Sequence, residues 1–519
     1  MRMTEAALAS TPQTPQASTR IAWLIAALAF LLQVAFSGRY GYFRDELYYI
    51  ACSRHLAFGY VDMAPLTPWL ARACHYLFGD SLRAIRLLPA FGFAINVALA
   101  GYITRELGGK RWAMGMACVS VMLAPTILGN GTRLAMNPLE PCFWMGCIYI
   151  LLLAINRQQP KLLVWCGVLL GFGLLNKHST IFFLAALVIA LLLTPQRKLF
   201  ATKWFWIAAA IAFVICLPNV IWQYAHHFPT LEDLRNVKAT HKNIELPPLP
   251  FIKQQIMMLN PITDLVWIAG LFFLLFHRAM KPFRFLGFTY LLFLGVMMAL
   301  HGKDYYLAPI YPMLFAAGAV FWETLTEPRP SLRWVRRALP CTVVVACLIS
   351  VPLALPVLPP DKIAPYMRAL GIANTRTETT MTGVLPQHFA DQFGWEEMVA
   401  SVAGVYNSLP PEQRAKTAIF GGNYGEAGAI DFFGPRYGLP KSISAHQNYY
   451  YWGPRDYTGE SIILLGVGLK EAQRWCESVD VGPRNAPYYG MGWEHYDILV
   501  CHNAKMPLAQ AWPKLKVWN

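Results

Sequence analysis

The stretch YFRDELYYIACSRHLAFGYVDMAPLTP, residues 42–68, separates the first long apolar run of the chain from all the later ones. It carries two adjacent carboxylates, Asp45 and Glu46, and a third, Asp62. Carboxylates beside a membrane span are costly to keep there, so they indicate a functional site. We therefore expect the chemistry of this chain to lie in the loop that contains them.

The composition is that of a membrane protein. Of 519 residues, 56% are hydrophobic and 14% are charged, whereas a soluble domain carries about 25% charged residues. A polytopic α-helical protein with about eleven spans is predicted, because apolar runs of spanning length recur through residues 21–356. These runs are residues 21–36, 84–104, 112–128, 139–155, 161–176, 179–194, 204–221, 261–277, 284–300, 306–325 and 338–356. Residues 1–20 are polar and are predicted to form a disordered cytoplasmic segment. The first run lacks a clear cleavage site and is interpreted as a retained span.

Lys and Arg follow every even-numbered run, within residues 105–111, 157–161, 197–203, 278–284 and 329–337. The positive-inside rule places these loops in the cytoplasm. The net charge of +15 is then a topology signal, and no nucleic-acid partner is expected. The first external loop, residues 38–83, is predicted to face the periplasm or exterior of an inner (cytoplasmic) membrane. Within it, LTPWLARACHYLF has the apolar spacing of a helix lying on the membrane surface.

Residues 357–519 are less apolar and predict an extracytoplasmic α/β domain. Strands are expected at TAIFGG, SIILLGVG and YDILVCHN, and helices at GWEEMVASVAGVYNSL and LKEAQRWCES. GGNYGEAG does not fit G-x-G-x-x-G, which favours a structural strand-to-helix turn over a nucleotide site. Eleven Cys without a C-x-x-C pair argue against sulfur-bound metal. Cys476 and Cys501 form either a disulfide or two buried thiols.

The pattern D-E-x-Y-Y…G-Y-V-D-x-x-P-L after the first span resembles the first external loop of the family 39 glycosyltransferases. That family includes the bacterial relatives of dolichyl-phosphate-mannose-protein mannosyltransferases and the lipid A aminoarabinose transferases. The resemblance implies the GT-C membrane fold. It also implies inverting transfer of a monosaccharide from a polyprenyl phosphate, such as undecaprenyl phosphate, to a hydroxyl of a protein, lipid A or another glycan. It covers the first 150 residues well, HGKDYYLAPIYP moderately and the C-terminal domain loosely.

The resemblance also implies roles for single residues. Asp45 is expected to be the general base, and Glu46 and Glu140 to be the other catalytic carboxylates. Asn137-Pro138-Leu139-Glu140-Pro141 is similar to the family's N-x-x-D-P loop, so Asp45 and Glu140 are candidate ligands for Mg, Mn or Zn. The candidates for the donor phosphate are Arg44, Arg86, Arg133, Lys177 and Lys303, and those for other substrate contacts are Tyr48, Asp62, Tyr305 and Tyr306.

Structural alternatives stay open at this stage. Asp45 could cap the helix that follows it, Glu140 could be an interfacial carboxylate at a helix start, and the Lys and Arg residues could anchor lipid headgroups. The aminoarabinose transferases show D-E-x-R and E-K-P-P-L, where this chain has Tyr48 and Met63, which argues against that reaction. A transporter or flippase of lipid-linked sugars and a non-catalytic scaffold are the rival functions. A transporter should show midplane charges or repeats, which the sequence lacks.

Overall fold

The protein is described here by a computed structural model that covers residues 18–374, 376, 378–379 and 383–519. Residues 1–17 of the predicted disordered segment lie outside the described residues. The chain forms a helical region followed by a mixed C-terminal domain. The helices of the first region are α1 Arg20–Phe36, α2 Arg44–Arg54, α3 Leu66–Phe78, α4 Leu82–Glu106, α5 Arg111–Leu123, α6 Pro125–Asn130, α7 Glu140–Asn156, α8 Leu163–Asn176, α9 Thr180–Leu192, α10 Lys203–Ala225, α11 Pro229–Ala239, α12 Pro248–Leu259, α13 Asp264–Phe276, α14 Arg284–Ala299, α15 Tyr311–Thr326 and α16 Val335–Ala354.

Each predicted apolar run contains helix, and the run 112–128 is divided between α5 and α6. In the described part of the chain, five helices are long and apolar enough to cross a membrane, or seven if each of two bent pairs is one span. Shorter apolar helices, among them α1, α5 and α7, account for other runs. The multi-pass helical architecture is thus confirmed, and the count of about eleven spans stays a prediction.

Helices α13 and α15 show how the apolar segments pack. A side chain at Gly270 would lie 2.1 Å from the carbonyl oxygen of Leu314, and one at Gly318 would lie 1.8 Å from that of Val266. Glycine at both positions lets the two backbones touch, which is the usual way for helices to associate without a hydrophobic driving force.

The loop after α1 holds two helices. The predicted surface helix LTPWLARACHYLF is α3, and it ends in the exposed side chains of Tyr76, Leu77 and Phe78. Helix α2 begins at Arg44, so Asp45 and Glu46 lie in its first turn, where the helix dipole favours negative charge.

The C-terminal domain contains a four-stranded sheet. Its strands are β1 Thr417–Gly421, β2 Ser461–Leu465, β3 Cys476–Asn485 and β4 Tyr496–Ala504, in the order β1-β2-β4-β3. Strands β1 and β2 are parallel, and the other two pairs are antiparallel. The helices here are α17 Pro360–Ala369, α18 Gln387–Ala390, α19 Trp395–Ser408, α20 Pro411–Arg414, α21 Tyr424–Phe433, α22 Tyr449–Trp452, α23 Leu469–Trp475 and α24 Leu508–Leu515.

One predicted boundary in this domain was wrong. Helix α23 ends at Trp475, and Cys476 starts strand β3, whereas the helical spacing of LKEAQRWCES predicts a helix through Ser478. Pairing with β4 overrides the helical spacing there, since Val479 lies opposite Cys501 in the ladder. Cys476 and Cys501 are joined by a disulfide, which decides between the two alternatives for these cysteines.

Candidate active site

Asp45 is the accessible carboxylate of the Asp45–Glu46 pair, with 31% of its side chain exposed. The hydroxyl of Tyr424 donates to its Oδ1 at 2.7 Å, and Arg44 Nε lies 3.7 Å from the same oxygen. Within the described residues, Oδ2 accepts no hydrogen bond. The N-cap of α2 is Phe43, so Asp45 is not the cap, and the capping alternative is wrong. Asp45 therefore presents one free carboxylate oxygen beside a cation.

Glu46 has a different environment. It is fully buried, and each of its oxygens takes two donors: Oε1 accepts from Arg86 Nε and the Leu134 amide, both at 2.9 Å, and Oε2 from Arg86 Nη2 and the Phe43 amide, both at 2.8 Å. Arg86 also donates to backbone carbonyls, including those of Ser37 and Gly41. With these contacts, all the N–H groups of Arg86 are engaged. The two residues therefore fasten the start of α2 to α4, and neither faces a ligand.

Glu140 and Lys177 form a second buried pair. Lys177 Nζ lies 3.0 Å from Glu140 Oε2 and 2.9 Å from Asn137 Oδ1, and it sits 4.3 Å from the centre of the Tyr306 ring. The other oxygen of Glu140 accepts from the Ser179 hydroxyl. This places the predicted residues Glu140, Lys177 and Tyr306 together, with the carboxylate already neutralised by the ammonium.

The predicted divalent cation does not fit this arrangement. Glu140 is engaged by Lys177 and Ser179, as described above. Nowhere in the described ranges do three or more His, Cys, Asp or Glu side chains come together in a group that could hold a metal ion. We therefore derive no step through a metal.

Cations gather around the buried carboxylate of Glu378. Burial would raise the pKa of Glu378, but Arg44, Lys242 and Lys303 lower it, and the net shift is downward. Arg44 Nη2 lies 3.7 Å from Glu378 Oε1, and Arg44 Nε is buried without a hydrogen-bond partner among the described residues. Three positive charges thus act on the charge of Glu378, and one of them, Arg44, also contacts Asp45. We call Arg44, Lys242 and Lys303 the cation cluster.

Tyr48 and Asp62 are also brought together. The Tyr48 hydroxyl donates to Asp62 Oδ1 at 2.9 Å and accepts from the amide of Asn448 at 3.2 Å. Burial and the neighbouring Asp233 raise the pKa of Asp62 to about 7. Asp62 is therefore partly protonated near neutral pH, and Tyr48 joins the loop to the C-terminal domain.

The remaining predicted residues lie at the edges of this site. Tyr305 packs edge-to-face on Tyr306 and interacts electrostatically with Asp45. Arg133 donates to the carbonyl of His388 at 3.1 Å and stacks over Phe43.

Three residues around Asp45 were not predicted from the sequence: Tyr424, Glu378 and Lys242. Tyr424 lies in the GGNYGEAG turn, where Asn423 caps α21. The structure thus agrees with the predicted strand-to-helix turn at GGNYGEAG. Glu378 and Lys242 lie in connecting segments that carry no recognisable motif. The only sequence signal for these two residues is a charge close to aromatic residues on a predicted external loop.

The family described as dolichyl-phosphate-mannose-protein mannosyltransferase matches residues 62–222 of this chain. Among curated proteins, the chain is 28% identical over 202 residues to the lipid A galacturonosyltransferase RgtD of Rhizobium johnstonii, covering 38% of this chain and 41% of RgtD. It is 26% identical over 228 residues to the lipopolysaccharide core galacturonosyltransferase RgtB of the same organism, covering 42% of this chain and 46% of RgtB. The chain thus spans less than half the length of these relatives.

A solved structure matches nearly the whole fold. The structure of ArnT from Cupriavidus metallidurans bound to undecaprenyl phosphate superimposes with a TM-score of 0.62 and 14% identity, covering 94% of this chain and 99% of that one. At this identity the likeness shows the fold alone. The family match over residues 62–222, the related sequences and the shared fold all agree with the resemblance of the Asp45–Glu46 loop, and this chain is similar to membrane glycosyltransferases.

Proposed function

We propose that this protein transfers a monosaccharide from a polyprenyl phosphate to an acceptor hydroxyl at the outer face of the inner membrane. The observation that carries the proposal is the free Oδ2 of Asp45 beside the cation cluster. A base for the acceptor and positive charge for the leaving phosphate are the two groups that this reaction needs.

The reaction is a single displacement. Asp45 takes the proton of the acceptor hydroxyl as that oxygen bonds to the anomeric carbon, and the bond from this carbon to the phosphate oxygen breaks. The configuration at the carbon inverts. The polyprenyl phosphate leaves with its negative charge facing Arg44 and Lys303. The buried Arg44 Nε, which donates no hydrogen bond among the described residues, is a donor suited to a phosphate oxygen.

The relatives support a narrower range of partners. RgtD and RgtB are named for lipid A and the lipopolysaccharide core, and the ArnT structure is described as bound to undecaprenyl phosphate. We therefore propose undecaprenyl phosphate as the lipid carrier and a sugar hydroxyl of lipid A or the lipopolysaccharide core as the acceptor.

The external orientation has two supports. The even-numbered exits are basic, and the disulfide of the C-terminal domain suits an oxidising compartment. Reporter fusions after Arg197 and after Asn519 should report opposite sides of the membrane. The same side for both would contradict this orientation.

The enzymatic proposal is tested with purified protein in detergent. Incubated with an undecaprenyl-phosphate-linked sugar and lipid A, it should yield lipid A heavier by one sugar, as read by mass spectrometry. A flippase would move the donor across vesicles and give no such product in detergent. The positions of the charges favour transfer, since Arg86, Glu140, Lys177 and Lys303 lie at helix ends or beyond them, where a transporter would have charges at the midplane.

A further inference from the structure

The C-terminal domain reaches the candidate base directly. Tyr424, the first residue of α21, donates its hydroxyl to Asp45 Oδ1 at 2.7 Å across 379 residues of sequence. Arg44 Nε approaches the same oxygen at 3.7 Å. The Tyr424 hydroxyl thus makes the hydrogen bond to Oδ1, with the Arg44 charge nearby, and Oδ2 accepts no hydrogen bond among the described residues.

The Tyr424 ring is held from two sides. It stacks on Tyr48 at 4.6 Å between ring centres and on His446 at 5.0 Å, with interplanar angles of 29° and 8°. The backbone amide of Tyr424 donates to His446 Nδ1 at 3.1 Å. Burial and the positive charges of Lys242 and Arg44 lower the pKa of His446 to about 3, so this nitrogen stays an acceptor at neutral pH. Tyr48 and His446 therefore fix the orientation of the Tyr424 hydroxyl, and neither side chain changes charge near pH 7.

The backbone of α21 is also fixed against α2. A side chain added at Gly428 would lie 3.1 Å from the carbonyl carbon of Leu47, so glycine lets the two helices meet. Leu47 belongs to the apolar cluster that includes Ile419, Ile430 and Ile463 of the C-terminal domain. The helix that carries Asp45 is thus part of the core of that domain.

We propose that Tyr424 is a positioning residue for Asp45, so that the C-terminal domain completes the active site. This inference rests on the proposed role of Asp45 as general base. The Tyr424 hydroxyl holds Oδ1, and Oδ2 is then oriented to take the proton of the acceptor hydroxyl. Asp45 is then correctly oriented for catalysis only when the C-terminal domain is packed against α2.

The test is Tyr424→Phe, which keeps the stacked ring and removes the hydroxyl. The matched control is Tyr449→Phe. Tyr449 is also buried in the same aromatic cluster, and its hydroxyl donates to a different carboxylate, Asp431, at 3.2 Å. Transfer rates are measured on purified full-length variants as a function of donor concentration, with equal amounts of folded protein.

Tyr424→Phe should lower kcat roughly 10- to 100-fold, which corresponds to the loss of a hydrogen bond to a charged group. Its KM for the donor should stay within about threefold of the wild type, and Tyr449→Phe should keep its kcat. A kcat within about twofold of the wild type for Tyr424→Phe would overturn the proposal. So would an equal loss in both variants, or a loss carried by KM alone.

A second measurement separates this inference from the proposed function. In an Asp45→Asn background, adding Tyr424→Phe should cause little further loss, because the two residues act on one step. A further loss as large as in the wild type would overturn the positioning role. If Asp45→Asn itself transfers sugar at the wild-type rate, the proposed general base is wrong, whatever Tyr424 does.

Discussion

Glu46→Gln should destabilise the protein more than any conservative change at Asp45. In the structure, two N–H donors converge on each Glu46 oxygen. An amide has one carbonyl oxygen, so in either orientation its NH2 group faces two buried donors. The change also leaves Arg86, with 2% of its side chain exposed, as an uncompensated buried charge. Breaking a buried pair in this way costs about 3–5 kcal/mol.

The size of the effect can be converted into a melting temperature. An unfolding entropy of roughly 2 cal/mol/K per residue gives a decrease of about 3–5 °C for a chain of this length. The assay follows the folded, monodisperse fraction of detergent-solubilised protein after heating. Asp361→Asn is the control, because Asp361 is 52% exposed and forms an ion pair with the adjacent Lys362.

A double variant tests whether the Glu46–Arg86 pair accounts for the loss of stability. Glu46→Leu with Arg86→Met should cost less than the sum of the two single changes, because no unpaired charge remains. A Glu46→Gln protein that melts within 1 °C of the wild type, or strictly additive losses in the double variant, would refute the structural role of this pair.

Three other predictions concern separate parts of the molecule. Denatured, unreduced protein should show nine free thiols among eleven cysteines, because Cys476 and Cys501 are bonded; a count of eleven would exclude the bond. Lys303→Met should raise the KM for the donor roughly tenfold at normal protein levels, since a charge-assisted contact contributes about 1.5–3 kcal/mol; an unchanged KM would remove Lys303 from the phosphate site. Asp391→Asn should raise the melting temperature by about 2–4 °C at pH 8. Burial raises the pKa of Asp391 from its ordinary 3.8 to about 7, so ionisation of Asp391 costs stability progressively between about pH 4 and pH 7 and in full above that, and the gain should vanish near pH 4.

The helices were predictable because their signal is local. Each apolar run is continuous in sequence, and a backbone in lipid must satisfy its own hydrogen bonds, so the runs became α1, α4, α10 and the others. The predicted helix boundary at Cys476 was wrong because the signal for the strand there is not local. Strand β3 is stabilised by its pairing with β4. The alternation of polar and apolar residues in SVDV is a weaker local signal than the helical spacing that precedes it.

Only part of the candidate site could be predicted from the sequence. The motif identified Asp45 and Glu46 but could not separate them, because burial and the Arg86 contact are set by the tertiary fold. The partner of Asp45 could not be found at all. Tyr424 lies 379 residues away, in a turn whose local pattern signals only a cap. Residues brought together by domain docking leave no periodic or spaced signal in a single sequence.

The most direct test of the central claim is the transfer rate of Asp45→Asn. Asparagine keeps the size of the side chain and removes the proton acceptor, so the rate should fall about 10²- to 10⁴-fold. Donor binding and the amount of folded protein should stay close to the wild type, because the proposed phosphate contacts are Arg44 and Lys303. A variant that transfers sugar at nearly the wild-type rate would contradict the account and exclude Asp45 as the general base.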